Sequence, residues 1–295
     1  MERRTTKENI FTNEGKALVS KVRCDGDLKQ NIGQAVAAIG GFKRLVEPGD
    51  TILVKPNFNT DDPPPGSSDP QFVKAVIELL YQHGAGKVVL GESSMISLST
   101  RDTLQETGML QAAEEAGAEV VIFDEGQWVP VKIGGRYLRK VALAKAGLEA
   151  EKIVYVCCLK THRFADFSLS LKLAMGFVRR RDRVGMHLWR LGEKLAELNL
   201  VIAPHLIIMD GRRCFISGGP ATGELREPNL ILASGDRIAI DVEALKVIQG
   251  YPGHSLKKDP WELTMIRRAV ELRLGATSEA AYQVITDARA FREEI

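Results

Sequence analysis

The residues best suited to chemistry stand directly after short apolar runs of the sequence. Four separate runs end in polar corners, namely Lys55-Pro56-Asn57, Gly91-Glu92-Ser93-Ser94, Lys160-Thr161-His162 and Asp210-Gly211. Ligands of parallel α/β sheets bind beyond the carboxyl ends of the strands, so these groups converge if the runs are neighbouring parallel strands. Lys160 and His162 are the strongest pair, because a buried strand that delivers two adjacent cationic groups is costly without an anionic partner. A structural interpretation remains open at each corner, since polar residues end strands in many proteins.

Positive charge is concentrated in the segment that follows the third corner. Residues 160–190 contain eight Lys and Arg against two acids, a net charge of +6, whereas the whole chain has +2 and the remainder −4. Such focused charge suits a carboxylate or phosphate ligand. Lys172 lies in the otherwise apolar SLSLKLAMGF, so its ammonium must either reach solvent or point into the site. The arginines of RRRDR at 179–183 are most simply a solvated helix end or loop.

Two weaker signals lie downstream. The glycine-rich SGGPATGE at 217–224 could present backbone N–H groups of Gly218 and Gly219 to an anion. It lacks the Lys-Ser/Thr ending of a P-loop and the G-x-G-x-x-G of dinucleotide sites, so a plain turn is the alternative. His187 stands at the start of a helical pattern, where a lone histidine is either structural or functional.

The elements that must position these groups alternate between strand and helix patterns. Strands are predicted at 17–23, 51–57, 87–94, 119–124, 152–162, 205–211 and 229–236. Helices are predicted at 28–46, 70–81, 237–249 and 260–273, with another that ends near Ala116. A short hairpin is predicted in WVPVKIGGRYLRKVAL, with Gly134-Gly135 at its turn. The pattern predicts an α/β fold with a mostly parallel sheet flanked by helices, in three Rossmann-like layers.

Length and composition set the remaining expectations. A chain of 295 residues with 44% hydrophobic residues suits one large domain or two closely packed lobes. We predict a polar tail at 1–16 and a single α/β domain at 17–295, with possible lobes at 17–150 and 151–295. The four cysteines include no C-x-x-C pair, so neither an iron–sulfur cluster nor a zinc site is expected, and no disulfide framework. The cytoplasm is the expected compartment, without a membrane span, and a homodimer is the default oligomer.

Several separated motifs resemble those of one family, the "domain of unknown function 362" proteins. They are ILVKPNF, PQFVKAVIELLYQHGAGKVVLGESS, Thr107-Gly108, LKTHRFADFSLSLKLAMGF, His187, IIMDG, SGGPATGE and ASGDRIAIDVEALKVIQG, in that order, and they span about residues 50 to 250. Some members of this family append a ferredoxin module, but this chain lacks the cysteines for one. The family usually has Lys-Asn where this chain has Lys172-Leu173, so no side-chain amide is expected there.

A more distant resemblance is to the catalytic subunits of the lactate racemase family. Those α/β proteins carry a histidine, a lysine and a second histidine at intervals similar to His162, Lys172 and His187. The resemblance implies a proton-transfer base at His162, a covalent tether for a nickel-pincer cofactor at Lys172 and a nickel ligand at His187.

From the residues themselves we predict an enzyme that acts on a small anionic metabolite by Lys/His acid–base chemistry, without a cofactor, as a lyase, isomerase or hydrolase. The predicted catalytic residues are Lys160, His162, Lys172 and His187. The predicted substrate-binding residues are Lys55, Asn57, Glu92, Ser93, Arg163, Asp210, Gly218 and Gly219. Two alternatives remain, a metal-dependent enzyme with a metal at His162 and His187, and a non-catalytic module that binds a phosphorylated ligand. Nucleic acid is not expected as a partner, because no exposed aromatic residues are predicted among the arginines.

Overall fold

The computed structural model describes residues 8–286, in which strands and helices alternate. The strands are β1 (Thr12–Asn13), β2 (Lys16–Arg23), β3 (Thr51–Pro56), β4 (Lys87–Glu92), β5 (Glu119–Ile122), β6 (Trp128–Lys132), β7 (Lys140–Ala144), β8 (Lys152–His162), β9 (Asp166–Phe167), β10 (Leu206–Gly218), β11 (Gly223–Arg226), β12 (Leu230–Ser234) and β13 (Tyr282–Ile285). The helices are α1 (Leu28–Ala37), α2 (Pro70–Gln82), α3 (Thr100–Glu106), α4 (Met109–Glu115), α5 (Lys145–Glu149), α6 (Ser170–Leu173), α7 (Arg180–His187), α8 (Leu191–Leu198), α9 (Arg237–Gln249) and α10 (Thr264–Glu271). The predicted α/β class is confirmed.

One large sheet organises the fold, with the strand order β1-β2-β12-β10-β8-β3-β4-β5. Strands β10, β8, β3, β4 and β5 pair in parallel, while β12 runs antiparallel to both of its neighbours. The predicted parallel neighbours are therefore confirmed, and β3, β4 and β8 end at their predicted polar corners. The predicted strand end at Asp210-Gly211 is wrong, because β10 continues to Gly218. The carboxyl ends of β3, β4 and β8 lie along the same edge of the sheet.

Helices cover both faces of this sheet, which gives the predicted three layers. Along β8, Ile153, Tyr155 and Cys157 belong to one hydrophobic core, whereas Val154 and Val156 belong to the other. This alternation explains the near-continuous apolar run, because neither face of the strand contacts solvent and both therefore carry apolar side chains. Helices α1, α2 and α4 pack on one face, and α8, α9 and α10 on the other.

The two halves of the chain share the sheet. The second-half strands β8, β10 and β12 lie between β2 on one side and β3, β4 and β5 on the other. The predicted tail at 1–16 is wrong in its second part, because the aromatic ring of Phe11 is fully buried and Thr12 pairs with Ala17. Residues 1–7 of that predicted tail lie outside the described residues.

Local side-chain chemistry sets several element boundaries as predicted. Asp69 caps α2 by accepting the Gln71 N–H, with Pro70 at the first helical position. The predicted hairpin forms between β6 and β7. Two helices are shorter than predicted: the one at 28–46 ends at Ala37, and the one that ends near Ala116 is interrupted at Gly108, which has a φ of +75°. His187 lies at the end of α7 and not at the start of a helix.

Candidate functional site

A cavity of about 130 Å³ lies beyond the carboxyl ends of β3, β4 and β8. Seven of the predicted site residues line it: Lys55, Asn57, Ser93, Lys160, His162, Lys172 and His187. Arg183 adds a fourth cation, and none of the residues that line this cavity is an Asp or a Glu. A volume of this size suits a small metabolite, since the sites of drug-sized ligands are several times larger.

Lys55 and Glu92 form a buried ion pair behind the cavity wall. Their Nζ and Oε2 atoms are 2.5 Å apart, and both side chains are almost fully buried. Burial raises the pKa of Glu92 to about 7 against the opposing charges of Lys55 and Arg183. Burial also lowers the pKa of Lys55, while Glu92 counteracts that shift. Glu92 is therefore not a substrate contact but the carboxylate that holds Lys55 against the cavity, with Gly176 leaving room for the lysine chain.

Lys160 reaches the cavity from the end of β8. It is 2% exposed, and its ammonium donates to the Gly66 carbonyl in the loop that follows β3. Burial lowers its pKa. One backbone carbonyl satisfies only one of three ammonium donors, so the remaining donors are available to an anion in the cavity.

Lys172 is the least satisfied of the cavity cations. No hydrogen bond or ion pair joins its ammonium to another residue within 8–286. Burial, followed by the nearby charges of Lys160 and Arg183, lowers the pKa of Lys172 to about 7. The predicted choice between solvent and site is thereby decided for the site. Near neutral pH a large fraction of the Lys172 side chain is a free amine, which can accept a proton or attack a carbonyl.

A buried polar network holds the short helix that carries Lys172. Asp241 of α9 accepts the backbone N–H groups of Ser170 and Leu171 at 2.9 and 3.0 Å. Asn199 donates to the Leu171 carbonyl at 2.8 Å. A four-residue helix is too short to be stable alone, so these contacts from α9 and the end of α8 determine where the Lys172 side chain begins.

The two cavity histidines are held in opposite tautomers. The backbone N–H of Phe164 donates to Nδ1 of His162 at 3.1 Å, so in the neutral ring the proton is on Nε2. His187 has the reverse arrangement, because its Nδ1 lies 2.8 Å from the Arg183 carbonyl and must donate to it. His162 thus offers an N–H donor and His187 offers an unprotonated Nε2.

Burial and the surrounding cations keep His162 neutral. Burial lowers the pKa of its imidazole to about 2, with the charges of Lys172, His187 and Lys160 acting in the same direction. A ring with this pKa and with Nδ1 already accepting a hydrogen bond is a poor proton acceptor. The predicted second proton carrier is therefore better placed at His187, which is exposed at the cavity mouth.

Arg183 is the cavity residue that the sequence interpretation missed. It is not solvated but 9% exposed. Its guanidinium donates to the carbonyls of Val178, Ser93, Ser94 and Gly176 and to the Ser93 hydroxyl. Arg183 and His187 lie four residues apart on α7, a spacing that puts both on the same helix face. Two other arginines of the run are paired, Arg179 with Asp182 and Arg180 with Asp124.

Besides Glu92, four predicted binding residues do not line this cavity, namely Arg163, Asp210, Gly218 and Gly219. Asp210 pairs with Cys158, two residues before Lys160, in the β10–β8 register, and its carboxylate binds Arg212 in a separate cavity. Arg163 is exposed and donates from Nε to the Gly219 carbonyl at 3.2 Å.

The glycine-rich loop at 217–224 lines the cavity, but not through the predicted residues Gly218 and Gly219. The N–H of Gly219 donates to the Thr222 carbonyl at 2.7 Å, so it is not available to an anion. Gly218 pairs with Gly223. Pro220 and Ala221, the next two residues, line the cavity in their place. Gly219 instead permits close packing, because a Cβ there would lie 2.0 Å from the Thr161 carbonyl oxygen.

The side chains of the site do not form a protein-only metal site. Within residues 8–286, no group of three or more His, Cys, Asp and Glu is placed to hold a metal ion. His162 also has no free ring lone pair in its hydrogen-bonded tautomer. The metal predicted at His162 and His187 as an alternative therefore lacks a complete donor set among residues 8–286.

None of the helices described between residues 8 and 286 has both the length and the apolar character that a membrane crossing requires. A relative, thylakoid-associated protein sll1697 of Synechocystis sp., is 28% identical over 264 residues, which cover 87% of this chain and 78% of that protein.

The structure of lactate racemase apoprotein from Thermoanaerobacterium thermosaccharolyticum matches with a TM-score of 0.48 and 12% identity over 79% of this chain. The matched region spans 57% of the length of that chain. The family profile described as "Domain of unknown function (DUF362)" matches residues 52–246, which include the carboxyl ends of β3, β4 and β8 and the helices α6 and α7. The chain belongs to the DUF362 family.

Proposed function

We propose that this protein is an enzyme that binds a small carboxylate or phosphate metabolite and moves a proton on it, as an isomerase or lyase. The observation that supports the proposal most directly is the lining of the cavity, with four cations, two histidines and no carboxylate. Buried cations without counter-ions are costly. An anionic ligand offsets that cost and supplies hydrogen-bond acceptors for the free donors.

The groups that hydrogen-bond the anion are the Lys160 ammonium, the amide of Asn57 and the N–H donors of Lys172, which are present in both its ammonium and its free-amine form. Asn57 is buried, and its side-chain amide has no hydrogen-bond partner among residues 8–286. Lys55 and Arg183 also line the cavity but contribute mainly positive potential, since Glu92 and backbone carbonyls already take their hydrogen bonds. The first three residues therefore contact the ligand, and the last two strengthen the field that holds it.

The proton-transfer groups are the free amine of Lys172 and Nε2 of His187. In the proposed reaction one of them removes a proton from the carbon next to the substrate carbonyl or carboxyl group. The electron pair of the broken C–H bond moves onto the substrate oxygen, which becomes an enolate oxyanion. The N–H of His162 and the ammonium of Lys160 stabilise that oxygen. Delivery of a proton to the opposite face of that carbon, by the other of the two groups, completes an isomerisation. In an elimination, the enolate electron pair forms a C=C bond while the β-substituent departs as an anion with the electrons of its own bond to carbon.

Hydrogen exchange in D₂O tests this proposal and does not require the product to be identified. A panel of small 2-oxo, 2-hydroxy and phosphorylated acids is incubated with the protein, and loss of the α-hydrogen signal is followed by NMR. We expect exchange in at least one acid, with loss of about 100-fold or more in Lys172→Gln. Exposed Lys132→Gln is the matched control and keeps the wild-type rate.

Binding measurements on the same panel separate catalysis from simple recognition. Calorimetric binding of an acid with no exchange in any panel member would contradict the enzyme and favour the anion-binding module. Binding that is indifferent to Lys160→Gln and Lys172→Gln would contradict the site itself.

We also propose that the protein acts in the cytoplasm as a homodimer. The name of the relative sll1697 associates that protein with thylakoids, so cell fractionation is the appropriate test of location. Recovery with membranes after a high-salt wash would contradict the cytoplasmic part of the proposal. Sedimentation of the purified protein tests the dimer.

A further inference from the structure

The exposed apolar side chains are concentrated around the mouth of the cavity. Eight large hydrophobic residues are exposed within residues 8–286, and six of them lie in three short segments next to the cavity lining. The six are Met95, Ile96, Phe164, Val184, Leu188 and Trp189. Single exposed hydrophobic residues need no explanation, whereas a cluster beside a binding site does.

Backbone contacts tie two of these segments to the cavity wall. The N–H of Met95 donates to the carbonyl of Asn59, a lining residue, at 2.8 Å. The N–H of Phe164 donates to the His162 ring, and the two rings are 6.1 Å apart between centroids. Phe164 is nonetheless 72% exposed. Both segments therefore reach the mouth of the cavity while their apolar side chains face solvent.

Helix α7 brings the third segment to the mouth. Arg183 and His187 line the cavity, and Val184 and Leu188 each follow one of them by a single residue. One residue is a rotation of about 100° around a helix, so Val184 and Leu188 form a stripe directly beside the cavity-facing stripe. Leu188 is 78% exposed and Val184 53% exposed. We name Met95, Ile96, Phe164, Val184 and Leu188 the apolar rim.

The cavity wall continues the apolar character inward. Leu173, Met175 and Pro220 line the cavity together with the cations. The cavity of about 130 Å³ suits a small metabolite, so the remainder of a longer ligand would extend through the mouth, where the apolar rim lies. A polar extension of the ligand would gain no hydrophobic free energy from covering these apolar side chains. A hydrocarbon chain would bury their surface together with its own, which is favourable.

We propose that the physiological substrate is an anionic amphiphile, with its carboxylate or phosphate head in the cavity and its hydrocarbon chain on the apolar rim. This inference rests on the proposed function, because it takes the cavity as the site of the anionic head. It narrows the substrate class from small acids in general to acids with an attached apolar chain.

A chain-length series of n-alkyl phosphates tests the inference. Binding of methyl, butyl and octyl phosphate is measured by calorimetry below the critical micelle concentrations. Each methylene that the rim covers is expected to strengthen binding by up to about fourfold. The measured quantity is the ratio of the affinities for octyl and methyl phosphate. Any change in the binding of the phosphate group affects both ligands equally and therefore leaves this ratio unchanged.

Variants of the rim locate the effect. We expect Phe164→Ser and Leu188→Ser each to lower the octyl-to-methyl ratio by about tenfold or more. Ile10→Ser is the matched control, because Ile10 is also exposed but lies beside a separate cavity with Pro204 and Gly235. That variant keeps the wild-type ratio.

Three results would overturn the inference. The first is methyl phosphate binding with no gain from chain length. The second is a gain that the two rim variants leave intact. The third combines two observations: the affinity of the wild-type dimer does not change with alkyl chain length, and both rim variants are monomers. That result would assign the apolar rim to contact with a second copy of this chain. Failure of the proposed function looks different, since methyl phosphate itself would then bind independently of Lys160→Gln and Lys172→Gln.

Discussion

Replacement of Lys172 by Met is expected to stabilise the protein, and to do so more at low pH. The folded chain releases the Lys172 proton near pH 7, whereas the unfolded chain keeps it to about pH 10.5. Below pH 7 the folded protein must hold a desolvated ammonium, which costs free energy. Between pH 7 and 10.5 the unfolded state binds more protons than the folded state, so this cost falls as pH rises and disappears above 10.5.

The size of the effect follows from the two pKa values. Each unit of pKa difference corresponds to about 1.4 kcal/mol, so the folded state loses up to about 5 kcal/mol well below pH 7. Between pH 6.5 and 9.5 the stabilisation by Met is expected to fall by about 3 kcal/mol. These values are upper limits, because water reaches the partly exposed side chain and screens its charge. Met also preserves the length of the aliphatic stem, and no hydrogen bond of Lys172 within residues 8–286 is lost.

Urea unfolding of both proteins at pH 6.5 and 9.5 measures this difference directly. The buried carboxyls whose pKa is raised to about 7, such as Glu92, occur in both proteins and largely cancel. Exposed Lys132→Met is the control and is expected to show the same change in unfolding free energy at both pH values. A Lys172→Met protein that is less stable than wild type at pH 6.5, or equally stabilised at both pH values, would refute the assignment of a desolvated amine.

Three further substitutions test other parts of the site. His187→Gln is expected to slow deuterium exchange of the substrate acid about 100-fold, and a rate equal to that of the wild type would contradict its role as a base. Asp241→Asn leaves the backbone N–H of either Ser170 or Leu171 without an acceptor. We expect it to lower the free energy of unfolding by about 1–3 kcal/mol, and a urea unfolding curve equal to that of the wild type would contradict this expectation. Gly219→Ala is expected to destabilise more than Gly253→Ala in thermal unfolding, because both glycines have positive φ but only at 219 would Cβ clash with the Thr161 carbonyl.

The elements of the fold were predictable wherever their signals are local. An Asp-Pro pair before α2 and an Asp before α9 specify helix starts through their own side chains, whatever lies around them. The long apolar run of β8 is typical of a strand covered on both faces. The boundaries that were predicted wrongly depend on contacts with other parts of the chain. Helix α1 ends at Ala37 and not at residue 46. Phe11, in the predicted polar tail, is buried in the core next to the paired strands β1 and β2.

The position of Asp210 shows what a strand-end pattern cannot supply. Its strand is a parallel neighbour of β8 as predicted, but the predicted strand end at Asp210 is wrong, because β10 continues to Gly218. The register places Asp210 opposite Cys158 and not beside His162. The register of β10 shifts only after Asp210, where Cys214 pairs with Leu159, so Asp210 stays level with Cys158, two residues before Lys160. Arg212, two residues after Asp210, then binds its carboxylate. Register results from long-range pairing, which a single sequence does not reveal.

The sequence by itself determined which chemical groups stand at the strand ends, the concentration of positive charge at 160–190 and the α/β class. These properties follow from residue type and local periodicity. Tertiary structure alone decided that Arg183 joins the cavity, that Lys172 is desolvated there, and that His162 donates while His187 accepts. Each of those outcomes depends on a backbone or side-chain partner or on burial by distant elements. For that reason the composition of the site was visible in the sequence, while the protonation state of each group was not.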